Sequence, residues 1–181
     1  MVYCLLADGF EEIEALAFTD ILRRADIEVL LVSTDNKNKN TGSHNITVIT
    51  DCNISDIEYS SIDAIALPGG LPGAFNLRDN QSVKSIIKHC LDNNLIVGAI
   101  CASPYVVLEE NNFLTDVTST VNPHFYNDMK KSVLNKQRVV VDNNIVTSQG
   151  PGTTHEFAKA FVKLLKPEFD IDGLICEMLY K

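Results

Sequence analysis

The chain contains no apolar run approaching the roughly 20 residues that cross a bilayer, no basic block, no CxxC pair and no internal repeat. Each absence removes a class of protein. The apolar start, Met1 to Ala7, is short, lacks a basic flank and ends at Asp8-Gly9, so it reads as a first buried strand and not as a leader or anchor. With 15 Lys and Arg against 24 Asp and Glu, a net charge of −9 and no cluster of cations, the composition argues against a nucleic-acid surface. The five cysteines, Cys4, Cys52, Cys90, Cys101 and Cys176, are scattered and odd in number, which suits neither a disulfide framework nor a structural zinc site. They are expected as free thiols in a reducing compartment, and the protein as cytoplasmic. None of the four histidines stands at metal-ligand spacing from another His, Cys or carboxylate, so no metal is expected.

What is present points to one domain, residues 1–181: 45% hydrophobic and 22% charged residues lie within the globular range, and the length allows a sizeable core. Short β-rich runs alternate with helical patterns, which predicts an α/β fold with a mostly parallel sheet and helices on both faces. Strands are expected at Val2 to Ala7, Glu28 to Ser33, Ala64 to Leu67, Leu95 to Ile100, Val117 to Thr120 and Ile145 to Ser148. Helices are expected at Glu12 to Ala25, Gln81 to Asn93, Ala102 to Glu110, Gly152 to Leu165 and Asp170 to Leu179. Asp35 to Gly42 reads as a polar loop, Asn45 to Thr50 as an edge strand or hairpin arm, and Asp142-Asn143-Asn144 as a tight hairpin turn.

The chemistry concentrates where strands hand over to helices. Leu95 to Ile100 runs straight into Cys101-Ala-Ser-Pro104, placing Cys101 where unpaired helix N–H groups would favour a thiolate and depress the thiol pKa. In open α/β sheets ligands bind beyond the carboxyl ends of the strands, where this residue would stand. The other cysteines read as buried structural residues. The loop after Ala64 to Leu67, Pro68-Gly69-Gly70, would let backbone N–H groups approach a ligand and is the candidate oxyanion hole; a plain tight turn explains it equally well. It is not a dinucleotide fingerprint, and no nucleotide-binding kinase loop exists, so no cofactor is implied. Ser148-Gln-Gly150-Pro151-Gly152 forms a second such loop. Among the acids after the first strand, Glu11 and Glu12 read as solvated helix caps, whereas Glu14 has inward-facing neighbours and would carry a raised pKa.

Taken together, Glu11-Glu-Ile-Glu14, Leu67-Pro-Gly-Gly70, Ala99-Ile-Cys-Ala-Ser-Pro104 and Ser148-Gln-Gly-Pro-Gly-Thr153 resemble, in order and spacing, signature segments of the ThiJ/PfpI (DJ-one) superfamily. Arg23-Arg-Ala25 and Gly73-Ala-Phe-Asn-Leu77 bring it closest to the DJ-one and bacterial ThiJ-like branch. The resemblance implies a flavodoxin-like three-layer sandwich, a homodimer, Cys101 as nucleophile and oxidation site, Glu14 as a protonated carboxyl against it, and Gly70 and Ala102 as backbone donors. It implies glutathione-independent glyoxalase or deglycase activity on methylglyoxal-type dicarbonyls or glycated adducts, or a redox-linked chaperone and peroxide sensor using the same thiol. A small-molecule binding module is a third reading, and a thiazole-synthesis role has no support in these residues. Where relatives place His or Tyr before a proline, this chain has Asn122, with His124 two positions on, and which of the two takes that place stays open. Gly69, Asn122, His124, Gly150 and Pro151 are the further pocket residues. Ala102 replaces the His that follows the nucleophile in the peptidase branch, which argues against peptidase activity. His44 stands where relatives place an Arg near the dimer groove.

Overall fold

The computed structural model describes residues 1–180. Strand β1 (Val2–Leu6) leads into α1 (Glu12–Arg24) and β2 (Val29–Ser33); a small hairpin of β3 (Lys39–Thr41) and β4 (Thr47–Ile49) precedes β5 (Cys52–Asn53) and β6 (Ala64–Leu67). Then come α2 (Gly73–Asp79), α3 (Gln81–Asp92), β7 (Ile96–Ile100), a π-helical turn over Pro104–Glu109, β8 (Thr118–Ser119) and β9 (Val133–Leu134). The chain closes with β10 (Val139–Asp142), β11 (Ile145–Ser148), α4 (Thr154–Leu165) and α5 (Ile171–Glu177).

The main sheet has seven strands in the order β10-β11-β7-β6-β1-β2-β5, and every neighbouring pair is parallel except β10 with β11. The run β2-β1-β6-β7-β11 is the doubly wound order of a flavodoxin-like α/β sandwich, whose strand order reverses between β1 and β6. Period-two alternation divides the core between the faces. Tyr3, Leu5 and Ala7 pack with Val83, Ile86 and Ile87 of α3, while Val2, Cys4 and Leu6 pack with Phe18 and Ile21 of α1 and Phe157 and Phe161 of α4. Burial on both faces explains why β1 is a continuous apolar run. Phe18, Phe157 and Phe161 meet with ring centroids 4.9 to 5.4 Å apart.

The structure departs from the sequence expectations in several places. Lys39–Thr41, expected within a polar loop, pairs antiparallel with Thr47–Ile49, because the register sets Thr41 against Thr47 and their hydroxyls meet at 2.9 Å. α2 follows the glycine loop directly, and its Pro72 and Gly73 start disguises a helix as a turn. Val117 to Thr120 does not join the main sheet: β8 pairs only with β9, and the Thr120 N–H is taken by Thr147 Oγ1 at 2.9 Å. The helix expected from Ala102 is a wider π turn beginning at Pro104, in which Glu110 N–H reaches the Tyr105 carbonyl; such turns are frequent at functional sites.

That turn carries Glu109, 2% exposed, which gathers the loop after β8. Its carboxylate accepts from the Lys130 N–H, from Lys131 N–H at 2.9 Å and from the Ser132 hydroxyl at 2.7 Å. Burial alone would push the carboxyl up, but these donors outweigh it and hold Glu109 below its ordinary value. Between that lowered value and the unfolded one, about 4.3, the unfolded chain binds more protons. Glu109 therefore stabilises the fold above the unfolded value, and the contribution is lost as pH falls through the folded one. Glu109→Gln is expected to cost about 1–3 kcal/mol in urea unfolding at neutral pH. The deficit should shrink as the pH is lowered below about 4; an equal deficit at both pH values would contradict this account.

Candidate active site

β7 ends at Ile100, and the next residue, Cys101, adopts φ +65°, a left-handed conformation that costs a non-glycine residue about 1–3 kcal/mol. Its neighbours hold it there. The Cys101 N–H donates to Ser148 O at 2.9 Å, its carbonyl accepts from Asn122 N–H at 2.9 Å, and the Ser103 hydroxyl donates to Pro68 O at 2.6 Å. The elbow is thus tied to the end of β11, to the loop after β6 and to the segment after β8. Ser103 is fully buried and was not singled out from the sequence, since a lone Ser after a nucleophile carries no pattern.

Glu14 reaches this point from the first turn of α1. Glu11 caps the helix, its Oε2 accepting from Glu14 N–H at 2.7 Å, and Glu14 Oε2 accepts from Gly69 N–H at 2.7 Å. The side chain is 1% exposed and its Oε1 has no hydrogen-bond partner among the described residues. A Cβ at position 69 would lie 2.6 Å from Cys101 Cβ and 2.9 Å from Glu14 Oε2, so only glycine lets sulfur and carboxyl meet across this loop. Gly70 has φ +84°, and a Cβ there would stand 2.5 Å from Glu11 N and from Gly9 O. Gly69 N–H is spent on Glu14, whereas Gly70 N–H donates to no backbone acceptor among the described residues.

Burial pushes the Glu14 carboxyl up to about 8, with the charge of Glu11 adding to the effect, against the Gly69 N–H and Cys101. Burial also pushes the Cys101 thiol up to about 12, reinforced by the charge of Glu14, against the Ala102 N–H and the Asn122 amide. The sequence expectation of a depressed thiol pKa is therefore corrected: loss of water outweighs the N–H groups at the elbow. The two groups titrate as a pair, and near pH 8 they come to hold one negative charge and one proton between them.

Asn122 donates from Nδ2 to Cys101 Sγ at 3.6 Å, while its Oδ1 accepts from His124 N–H at 3.1 Å and faces His124 Nδ1 at 2.8 Å. Asn122 thus occupies the place beside the sulfur, with the exposed His124 behind it. A Cβ on Gly150 would lie 4.0 Å from Cys101 Sγ and 3.5 Å from Asn122 Nδ2, which puts the second glycine loop on the same pocket; half-buried Pro151 opens the turn that follows.

Other residues differ from expectation. Glu11 and Glu12 are buried, not solvated: Glu12 Oε1 accepts from His44 N–H at 2.7 Å and its Oε2 faces His44 Nδ1 at 2.8 Å, clasping the β3–β4 hairpin to α1. Glu11, Glu12 and His44 bring ligand atoms within 4.8 Å of one another, a cluster no sequence spacing announces. Cys4 and Cys90 are buried as expected, but Cys52 is half-buried and Cys176 exposed. His155 is half-buried and stacks on Tyr180 with centroids 4.7 Å apart. No helix among the described residues is long and apolar enough to cross a membrane.

A doubly wound sheet with a strained cysteine at the end of β7 and a buried carboxyl against it defines an elbow-cysteine α/β protein. Residues 1–164 match the DJ-1/PfpI family, and the chain belongs to it. It is 36% identical to protein DJ-1 homolog B of Arabidopsis thaliana over 158 residues, 87% of this chain but 36% of that protein, so it spans little more than a third of that relative. To the Parkinson disease protein 7 homolog of Danio rerio it is 33% identical over 165 residues, covering 89% of this chain and 87% of that one. The solved structure of oxidised Toxoplasma gondii DJ-1 superposes with a TM-score of 0.94 at 34% identity, over 99% of this chain and 97% of that one.

Proposed function

We propose that the protein is a cysteine-dependent, glutathione-independent glyoxalase or deglycase acting on methylglyoxal-type dicarbonyls or their adducts. The observation that carries this is the buried Glu14 carboxyl set across Gly69 from the elbow cysteine; pushed up to about 8 by burial, it can give and take protons near neutrality. Cys101 sulfur attacks the aldehyde carbon, forming the C–S bond and an oxyanion, which the N–H groups of Gly70 and Ala102 stabilise and Glu14 protonates. The Glu14 carboxylate then removes the hydrogen from that carbon and returns it to the neighbouring carbonyl carbon, giving a lactoyl thioester. Water hydrolyses the thioester to lactate and frees the thiol, so no net oxidation occurs and no cofactor enters. Cys101→Ala should abolish lactate release from methylglyoxal without glutathione, a loss of at least about 10³-fold. Turnover unchanged in this variant would remove the proposal.

A second reading, a peroxide sensor with chaperone output, is favoured by one feature: the buried Glu14 Oε1 lacks a partner and could meet an oxygen added to sulfur. The oxidised state of the Toxoplasma gondii relative supports it. One peroxide would convert the thiolate to sulfenate and a second to sulfinate, each releasing water. Glu14→Gln keeps a donor and should still yield sulfinate, whereas Glu14→Leu should stop at sulfenate. The free thiols fit a reducing, cytoplasmic setting.

DJ-1 family proteins are commonly dimeric, and a homodimer is part of this proposal. Ile13 on α1 is 55% exposed, and Ile46 and Ile49 of the hairpin are 53% and 81% exposed, so helix and hairpin each present apolar side chains to solvent. Sedimentation at micromolar protein should give a dimer, and Ile13→Asp with Ile49→Asp should weaken it by about 100-fold or more. A wild-type monomer would refute the assembly.

A further inference from the structure

We propose that His124 is a positioning residue for Cys101, acting through Asn122, whose carboxamide it holds with the NH₂ group toward the sulfur. This rests on the reading of Cys101 as the reactive thiol. The path is short and each link has a defined direction. Asn122 is joined to the elbow by its backbone N–H on Cys101 O at 2.9 Å, and its carboxamide sits between the sulfur and His124. A backbone N–H can only donate, so the contact of His124 N–H with the carboxamide at 3.1 Å requires oxygen on that side and leaves the NH₂ for Sγ at 3.6 Å.

The same logic sets the imidazole. Asn122 Oδ1 offers only lone pairs, so Nδ1, 2.8 Å away, carries the proton and donates to it. The ring N–H on Oδ1 polarises the carboxamide and strengthens its N–H toward sulfur. The charged groups that bear on Cys101 are otherwise negative: Glu14 from α1 acts on it directly, and Glu11 acts on Glu14. Gly69 from the β6 loop and Gly150 from the loop after β11 contribute no charge. His124 is exposed, so its replacement should leave the fold intact.

The test is iodoacetamide alkylation of Cys101 in the full chain, followed by peptide mass spectrometry across a pH series. Wild type, His124→Ala and His124→Asn are compared, with Cys101→Ala as the blank. Asparagine can place a side-chain N–H where Nδ1 stands, whereas alanine cannot. His124→Ala should alkylate about threefold more slowly at every pH. His124→Asn, which keeps a side-chain N–H for Asn122 Oδ1, should recover most of the wild-type rate. Curves for all three that overlay would overturn the relay while leaving Cys101 reactive. Cys52 outpacing Cys101 in wild type would remove the reactive-thiol reading and the relay together.

Discussion

Glu14→Gln is expected to lower methylglyoxal turnover by about 10²–10⁴-fold, the range contributed by a positioned acid or base, while making the protein more stable. The two effects share one cause. The carboxyl is 1% exposed and raised to about 8, so between the unfolded value, about 4.3, and 8 the native state binds more protons than the unfolded chain. Stability contributed at this position is thus lost as pH rises through that window. A glutamine fills the same volume, has no charge to desolvate and should gain on the order of 1–3 kcal/mol at mildly alkaline pH. Below the unfolded value, where the carboxyl is protonated in both states, wild type and variant should converge. Chemical unfolding at two pH values combined with lactate assays reads both effects. A variant that loses activity without gaining stability at mildly alkaline pH would show that Glu14 is not held as a buried acid.

The largest expected effect on folding lies one turn of sheet away from the chemistry. Gly98 sits mid-strand in β7, and a Cβ there would lie 2.2 Å from Phe161 Cζ and 2.8 Å from Phe157 Cζ. Both rings are 1% exposed or less and lock against Phe18, so neither can swing into water. Gly98→Ala should therefore destabilise by about 2–3 kcal/mol through overpacking, although alanine suits a strand better than glycine. Gly98→Ala combined with Phe161→Leu should recover part of the loss, because the shorter side chain vacates the space the methyl needs. Additive losses in the double variant would place the strain elsewhere. Cys101 stands three residues along the same strand path, and an unfolded β7 would lose the elbow with it.

Most of what positions the site could be read from residues alone, because strand-to-helix handovers carry local signals. An apolar run stopping at Cys101, a Pro-Gly-Gly stop after Ala64–Leu67 and a carboxyl flanked by inward-facing residues are all visible within ten positions of chain. Features made by distant contacts were not visible. Glu12 looks like any cap until the β3–β4 hairpin, some thirty positions later, folds His44 over it. Asn122 looks like a lost base until its backbone is seen tied to Cys101 and its amide to His124. The raised thiol pKa is hidden from the sequence for a related reason: proximity to N–H groups is local and legible, but depth below water belongs to the whole fold.

The loops at this end of the sheet also set a clock. Gly9, with φ +89°, and Gly73 pack backbone against backbone, a Cβ on Gly73 falling 2.5 Å from Phe10 N, and Gly73 N–H donates to Gly9 O at 3.2 Å. Glu11 N–H is held by Gly69 O at 2.9 Å, and Gly9 N–H by Thr41 O at 2.7 Å. No side chain can loosen independently in such an interlock, so these amides should open only with the strands that end there. In amide hydrogen exchange the N–H groups of Gly9, Glu11 and Gly73 would then persist as long as those of β1 and β6, although none of them lies in a strand. Segments of this kind normally exchange within seconds; here three strand ends would share one opening event, timed by the unfolding of the sheet.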